Sequence, residues 1–268
     1  MDLYGIIGNP AHHSMSPPLY QAAYEEYGMD AEFVTFEVPP AEFEQAIRGA
    51  KALGIEGLSV TMPFKQEIIQ FVELDDVTQQ IGAVNTVDFT EGDFATGYNT
   101  DGIGARRALK ENGASIDGNA VIVGAGGTGR AISSALADSG MSVDVHNRTV
   151  EKAKQIEDFI PSATGFPLDE LEDNLSEASI LVDATSVGLH ELASVVPADV
   201  IHSDLTVLDV VYTPLETKLL RDAKDRGATV VDGASMLVYQ GVEAFEIWTR
   251  KEAPVDAMSK AVRNALPD

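Results

Sequence analysis

Val121-Ile122-Val123-Gly124-Ala125-Gly126-Gly127-Thr128-Gly129 is the stretch whose reading decides the fold. Ala120 to Val123 is an apolar, β-branched run that reads as a buried strand. Glycines follow at 124, 126, 127 and 129, and Arg130 to Ser139 then reads as a helix ended by Gly140. Strand, glycine-rich turn and helix, in that order, are the setting in which such a turn holds the phosphates of a dinucleotide. Gly124 permits the tight turn, and Gly126 lets the backbone approach a pyrophosphate. The amides of Gly127 and Thr128 lie at the positive end of the helix, with Ala125 and Gly129 completing the loop. The spacing departs by about one residue from the fingerprint with three widely spaced glycines. A glycine-rich turn without a ligand is therefore the competing reading.

Downstream, Val143 to His146 is the next strand, and its exit selects the nucleotide. An NAD-binding chain usually carries an acid there to hold the ribose hydroxyls. Here the exit is Asn147-Arg148-Thr149, with Lys152 one turn further on. A guanidinium and a hydroxyl suit a 2′-phosphate, so the expectation is NADP rather than NAD. A solvated loop arginine is the alternative. Helix 151–159, strands 180–184 and 207–211, helix 215–226 and strand 229–232 complete a doubly wound α/β pattern. Met236 to Arg250 and Val255 to Ala265 are helical, lie beyond the last strand and are expected to pack back on the first region.

Upstream, strand and helix also alternate, which implies a second α/β layer structure. Leu3 to Ile7 reads as a strand ending in the turn Gly8-Asn9-Pro10. Pro17 to Tyr27 reads as a helix capped by Ser16 and ended by Gly28. Glu32 to Val38 is a strand, Pro39-Pro40 opens a helix through about Ala52, and Gly57 to Val60 is a short buried strand. Pro63 is expected to start a helix, and Thr86 to Asn99 a hairpin-like pair around Glu91-Gly92-Asp93. Three segments here carry polar groups in unusual settings. Ser14 and Ser16 flank a helix start, where they can bind a carboxylate or merely cap the helix. Lys65 falls in an expected first helical turn, against the macrodipole, as a chemical group or as a snorkelling surface lysine. Asp101, before helix 103–112, is a site residue or an N-cap.

The chain of 268 residues suffices for one large domain or two modest ones. Forty-three acidic residues against 18 basic ones give a formal net charge of −25, which argues against a nucleic-acid partner because a phosphate backbone would be repelled. The same charge makes the basic cluster at 148–152 more informative. We read the excess as adaptation to a high-salt cytoplasm. An acidic enzyme without that adaptation would be equally stable in dilute buffer and in concentrated KCl. Cysteine is absent, so there is no thiolate chemistry and no Cys-based metal site. The five histidines, at 12, 13, 146, 190 and 202, show no ligand spacing, and no metal is expected. No apolar run reaches the roughly 18 residues of a membrane span. The start Met-Asp-Leu-Tyr-Gly is no signal peptide, which makes the expected location cytoplasmic.

Eight segments in order then resemble the signatures of the shikimate dehydrogenase family. They are Gly8-Asn-Pro-Ala-His-His-Ser-Met-Ser-Pro17, Ser59-Val-Thr-Met-Pro-Phe-Lys65, Gly82-Ala-Val-Asn-Thr86, Gly97-Tyr-Asn-Thr-Asp-Gly102, Gly124-Ala-Gly-Gly127, Asn147-Arg-Thr149, Ala184-Thr-Ser-Val-Gly188 and Gly233-Ala-Ser-Met-Leu-Val-Tyr-Gln240. The resemblance implies NADPH-dependent, reversible reduction of 3-dehydroshikimate to shikimate in the chorismate pathway of aromatic amino-acid biosynthesis. It implies a substrate-binding and catalytic domain over 1–101 plus 236–268 and an NADP-binding Rossmann-type domain over 102–235. Ser14 and Ser16 would hold the substrate carboxylate. Thr61, Lys65, Asn85, Asp101 and Gln240 would hold the ring hydroxyls, with Tyr212 nearby. Lys65 and Asp101 would be the catalytic pair. Thr185, Ser186, Gly188, Val210 and Gly233 would lie by the cofactor. The chain departs from the family at Ser59 and Asp183, where asparagine is usual, and at Leu189, where methionine is common. A quinate dehydrogenase using NAD, and a non-enzymatic sensor that binds NADP, are the rival readings. A homodimer stays open.

Overall fold

The first hundred residues alternate strand and helix in the computed structural model, which describes residues 1–90 and 94–266. The elements are β1 (Asp2–Gly8), α1 (Ser16–Tyr27), β2 (Ala31–Glu37), α2 (Phe43–Ala52), β3 (Ile55–Val60), β4 (Glu73–Leu74), α3 (Asp76–Ile81), β5 (Thr86–Asp88) and β6 (Thr96–Tyr98). Next come α4 (Asp101–Glu111), β7 (Asn119–Val123), α5 (Gly127–Ala137), β8 (Ser142–His146), α6 (Val150–Glu157), β9 (Ala163–Phe166) and α7 (Leu171–Leu175). The chain ends with β10 (Ile180–Asp183), β11 (Thr206–Asp209), α8 (Lys218–Asp225), β12 (Thr229–Val231), α9 (Gly233–Thr249) and α10 (Val255–Ala265). Two compact units result: residues 1–100 with 240–266, and residues 101–239.

In the first unit, six strands form a mixed sheet of order β2-β1-β3-β5-β6-β4. β1 pairs in parallel with β2 and β3, while β3–β5 and β5–β6 are antiparallel. One buried cluster joins Phe43 and Ile47 of α2 to Ile7, Leu58, Val60 and Phe64. An aromatic cluster gathers around Trp248 of α9, whose ring lies 5.4 Å from Tyr4 and 5.1 Å from Tyr20 of α1. Trp248 Nε1 donates to the carbonyl of Val87 (2.9 Å), and a Cβ on Gly57 would meet the indole at 2.5 Å. The far half of α9 and all of α10 therefore belong with this sheet. The hairpin turn expected at Glu91-Gly92-Asp93 lies outside the described residues.

The second unit is a six-stranded, all-parallel sheet of order β9-β8-β7-β10-β11-β12. In sequence order within the unit this is 3-2-1-4-5-6, the doubly wound Rossmann arrangement. Alternate residues of β7 feed opposite faces, as the period of a strand requires. Ala120 and Ile122 pack with Leu109 of α4, Ile132 and Leu136 of α5, and Ile156 of α6. Val121 and Val123 pack with Leu171 and Leu175 of α7 and with Leu219 and Leu220 of α8. Both faces are thus covered, which explains the unbroken apolar runs of these strands. No helix among the described residues is long and apolar enough to cross a membrane.

Several boundaries differ from the sequence-based expectation. Pro63 starts no α-helix: residues 62–66 form turns and Glu67–Phe71 a 3-10 segment. The carbonyl of Lys65, which an α-helix would bond four residues on, accepts instead from Val84 N (2.7 Å). Lys65 therefore does not oppose a helix macrodipole. Ser16 is not a cap either. It is the first residue of α1, behind Met15, and its N–H donates to Ser14 Oγ (3.1 Å). Pro39-Pro40 opens a 3-10 turn before α2. α4 begins at Asp101 itself. β4, α3, β9 and α7 are additional elements.

Candidate functional site

Parallel α/β sheets bind ligands where the strand order reverses, here at the carboxyl ends of β7 and β10. β7 runs into Gly124, whose φ of +109° only glycine adopts freely, and a Cβ there would meet the Ala184 carbonyl at 3.1 Å. Gly129 is needed for a different reason: a Cβ would overlap the carbonyl oxygen of Gly124, so α5 packs directly on the strand exit. Gly126 is different again. It is extended (φ −78°, ψ −175°), and a Cβ would meet nothing within 4 Å. No protein atom requires a glycine there, but a phosphate approaching the first N–H groups of α5 would. The turn thus fits a dinucleotide pyrophosphate.

The exit of β8 is tied to this turn. Asn147 Oδ1 accepts from Ala125 N (3.2 Å), and Asn147 Nδ2 donates to the Thr149 carbonyl (2.8 Å). Asn147 is therefore a bracket linking the glycine turn to the basic loop. Beneath it His146 is fully buried. Its Nδ1 donates to the Pro167 carbonyl (2.9 Å), which leaves Nε2 to accept from Asn174 Nδ2 (3.1 Å). Burial holds its pKa below the usual histidine range, against the raising effect of the Pro167 bond. Arg148, Thr149 and Lys152 are exposed, and neither Arg148 nor Lys152 makes an ion pair among the described residues. In a chain of net charge −25, a cation with no carboxylate partner is well placed for an anion.

On the other side of the switch point, β10 leads into Thr185, Ser186 and Gly188 (φ +93°). Thr185 Oγ1 accepts from Val187 N (3.1 Å), and Leu189 N donates to the Ser186 carbonyl (3.3 Å). Val210 N donates to the Asp183 carbonyl (3.0 Å), which joins this loop to the half-buried Tyr212. A Cβ on Gly233 would meet the Val211 carbonyl oxygen at 2.5 Å, so α9 starts in contact with the β11 exit. Asp101, 5% exposed at the start of α4, accepts from Thr128 Oγ1 (3.0 Å). That bond engages the Thr128 side chain with an acid of the same unit.

In the first unit, buried Asn85, Thr86 and Thr100 form one network with half-buried Gln240. Asn85 Nδ2 donates to Thr100 Oγ1 (3.0 Å) and to Gln240 Oε1 (3.4 Å). Thr100 N and Thr86 Oγ1 donate to Asn85 Oδ1 (2.9 and 3.0 Å). Thr100 is the residue that sequence reasoning missed. Its place between Asn99 and Asp101 was the available signal. Thr61 N bonds the Ile7 carbonyl (3.0 Å), and a Cβ on Gly8 would overlap the Thr61 methyl. Lys65 is half-buried, two residues beyond Pro63. Ser14 Oγ donates to Ser16 Oγ (3.1 Å), pairing the two hydroxyls at the mouth of α1. Ser59, 7% exposed, lies on β3 two residues before Thr61.

The class that this fold and site define is the two-unit Rossmann-type oxidoreductase. Residues 6–87 match the shikimate dehydrogenase substrate binding domain, 106–203 the shikimate / quinate 5-dehydrogenase domain, and 233–263 the shikimate 5′-dehydrogenase C-terminal domain. The shikimate dehydrogenase (NADP+) of Haloarcula marismortui is 56% identical over 99% of this chain and 100% of its own length. A shikimate dehydrogenase solved in complex with NADP+ superposes with a TM-score of 0.93 at 40% identity, over 100% of this chain and 96% of that one. The Thermus thermophilus enzyme, solved with NADP(H) and shikimate, gives 0.92 at 34% identity over 99% and 100%. The chain belongs to the shikimate dehydrogenase family.

Proposed function

We propose that this protein catalyses the reversible, NADPH-dependent reduction of 3-dehydroshikimate to shikimate, in the cytoplasm and without nucleic-acid or membrane partners. The observation that carries the reading is the cationic loop at Arg148, bracketed by Asn147 to a glycine turn; among the described residues Arg148 makes no ion pair and no contact requires a glycine at 126. NADPH, when bound, supplies the hydride. Gly124 to Gly129 take its pyrophosphate, and Arg148, Thr149 and Lys152 its 2′-phosphate. Thr185, Ser186, Gly188, Val210 and Gly233 line the ribose and nicotinamide.

The remaining work belongs to the side chains that touch substrate. Ser14 and Ser16 donate to its carboxylate. Thr61, Asn85 and Gln240 bind ring hydroxyls, and Tyr212 is a further substrate contact. The Lys65 ammonium stabilises the negative charge that builds on the ketone oxygen and delivers a proton to that oxygen. Asp101 accepts a hydrogen bond from a substrate hydroxyl and orients it.

The test is NADP+ reduction by purified protein with shikimate in concentrated KCl, with quinate and NAD+ in parallel. Turnover confined to shikimate and NADP+ is the expected result. Folded protein that binds NADP+ and turns over neither substrate would overturn the reading. The shikimate / quinate description matched by residues 106–203 supports a second reading, in which quinate is also oxidised. Arg148→Ala addresses the cofactor alone. A charge-assisted contact of about 2 kcal/mol corresponds to roughly a 30-fold rise in KM for NADP+, with KM for NAD+ unchanged. Equal effects on the two cofactors would remove Arg148 from phosphate recognition.

A further inference from the structure

β10 and β11 each end in a buried aspartate. Asp183 and Asp209 are direct partners in the parallel ladder, and each is 1% exposed. Their hydrogen bonds run to the loops that follow. Asp183 Oδ1 accepts from Thr185 N (2.9 Å), Asp209 Oδ1 from Val211 N (3.0 Å), and Asp209 Oδ2 from Thr217 Oγ1 (2.7 Å). No lysine, arginine or histidine among the described residues bonds to either carboxylate. The flanking elements supply no compensating cation. β7 places Val123 beside Asp183, and β12 leads into Asp232, itself an acid, whose Oδ1 accepts from Ser235. α8 contributes Thr217 as its cap, and its Lys218 is paired with Asp222. Glu216, in the loop between, pairs with Arg221 and Lys224.

Two buried carboxylates side by side with no counter-charge cannot both ionise cheaply, and the low-energy solution is a single retained proton. We propose that Asp183 and Asp209 hold one proton between them and so position the two loops, 184–188 and 210–217, that follow their strands. Burial raises both pKa values. Asp209 is pushed up from 3.8 to about 6, chiefly by burial and further by the charge of Asp183, against the lowering effect of Thr217. The loops carry Thr185, Ser186, Gly188, Val210 and Tyr212, so the consequence for cofactor binding rests on the function proposed above. When both acids ionise, their repulsion opposes the loop geometry, and NADP+ binding weakens as pH rises. Asp183 and Asp209 act as positioning residues.

Asp183→Asn is the informative change. Its amide oxygen still accepts from Thr185 N, while its N–H stands in for the shared proton. The direction of the pH effect follows from linkage. Because the native value of Asp209 lies above its ordinary 3.8, the stability contributed by its retained proton is full below 3.8 and is lost as pH rises through about 6. The variant should therefore gain several degrees in Tm over the wild type as pH goes from about 5 to about 7, with a level difference above that. A difference that does not change with pH would overturn the shared proton. In the wild type alone, a carboxyl carbon titrating well above the ordinary aspartate range tests the same point if the variant does not fold, and its absence would overturn it. The second readout is the ratio of wild-type to variant Kd for NADP+, which should rise several-fold between about pH 6 and about pH 8.5. A flat ratio with a pH-dependent Tm difference would overturn the positioning of the loops. Failure of both proteins to bind NADP+, with the Tm difference intact, would count against the cofactor reading and leave the shared proton standing.

Discussion

Replacing Lys65 by alanine should lower kcat for 3-dehydroshikimate reduction by about 10³-fold, near the middle of the range for loss of a general acid that also stabilises transition-state charge. KM should change by less than about tenfold, because the interaction strengthens mainly as charge develops on oxygen. A thousandfold loss corresponds to about 4 kcal/mol of activation free energy. The prediction is clean because the backbone at Lys65 is held independently of its side chain. Its carbonyl accepts from Val84 N, and the neighbouring Phe64 is buried among Phe43, Ile7 and Val60. Truncation should therefore leave Tm within about 2 °C of the wild type, as expected for a half-buried side chain away from the core. Lys65→Arg keeps the charge but lengthens and flattens the donor, and should recover only part of the rate. An unchanged kcat in Lys65→Ala would assign the proton to another group.

The nucleotide-binding half was legible in the sequence because its signals are local. An apolar tetrad, clustered glycines and a helix of ordinary length lie within 20 residues of one another, and each agrees with the others. β9 was not legible. Ala163-Thr164-Gly165-Phe166 is four residues long and carries a glycine, a poor strand former. The structure supplies the reason: a Cβ on Gly165 would meet the backbone of Ala153 and Lys154 at 2.5 Å, so the strand lies against α6. The segment after Pro63 was misread because a long-range bond overrides a local preference. Val84, nineteen residues on, takes the carbonyl that a helix needs. The polar residues were found by type and not by partner. Asn85 and Gln240 were named, but Thr100, which bonds to both, was not. Asp183 stands out in the sequence as a departure, whereas nothing in the sequence singles out Asp209. Only the ladder shows that the two are neighbours.

Gly126 and Gly129, three residues apart in one turn, should fail in different ways. Gly129→Ala should destabilise the protein by about 3 kcal/mol, the upper end of overpacking costs. Its conformation is not the cause. The added methyl would overlap the Gly124 carbonyl oxygen, and backbone on both sides leaves α5 no relief except to move off β7. Loss of cofactor affinity would follow from the displaced helix start. Gly126→Ala should cost at most about 1 kcal/mol, the difference between glycine and alanine at a helix N-cap. Its backbone is extended, as alanine readily adopts, and its Cβ would touch no protein atom. Yet NADP+ affinity should fall by about 10²-fold, because the methyl occupies the approach of the pyrophosphate to the α5 amides and shields them from it. Denaturant melts and NADP+ titrations on both variants give four numbers. Strong destabilisation of Gly126→Ala would mean that the open space over it is needed by the fold. Undiminished NADP+ binding by Gly126→Ala would place the pyrophosphate elsewhere than on this turn.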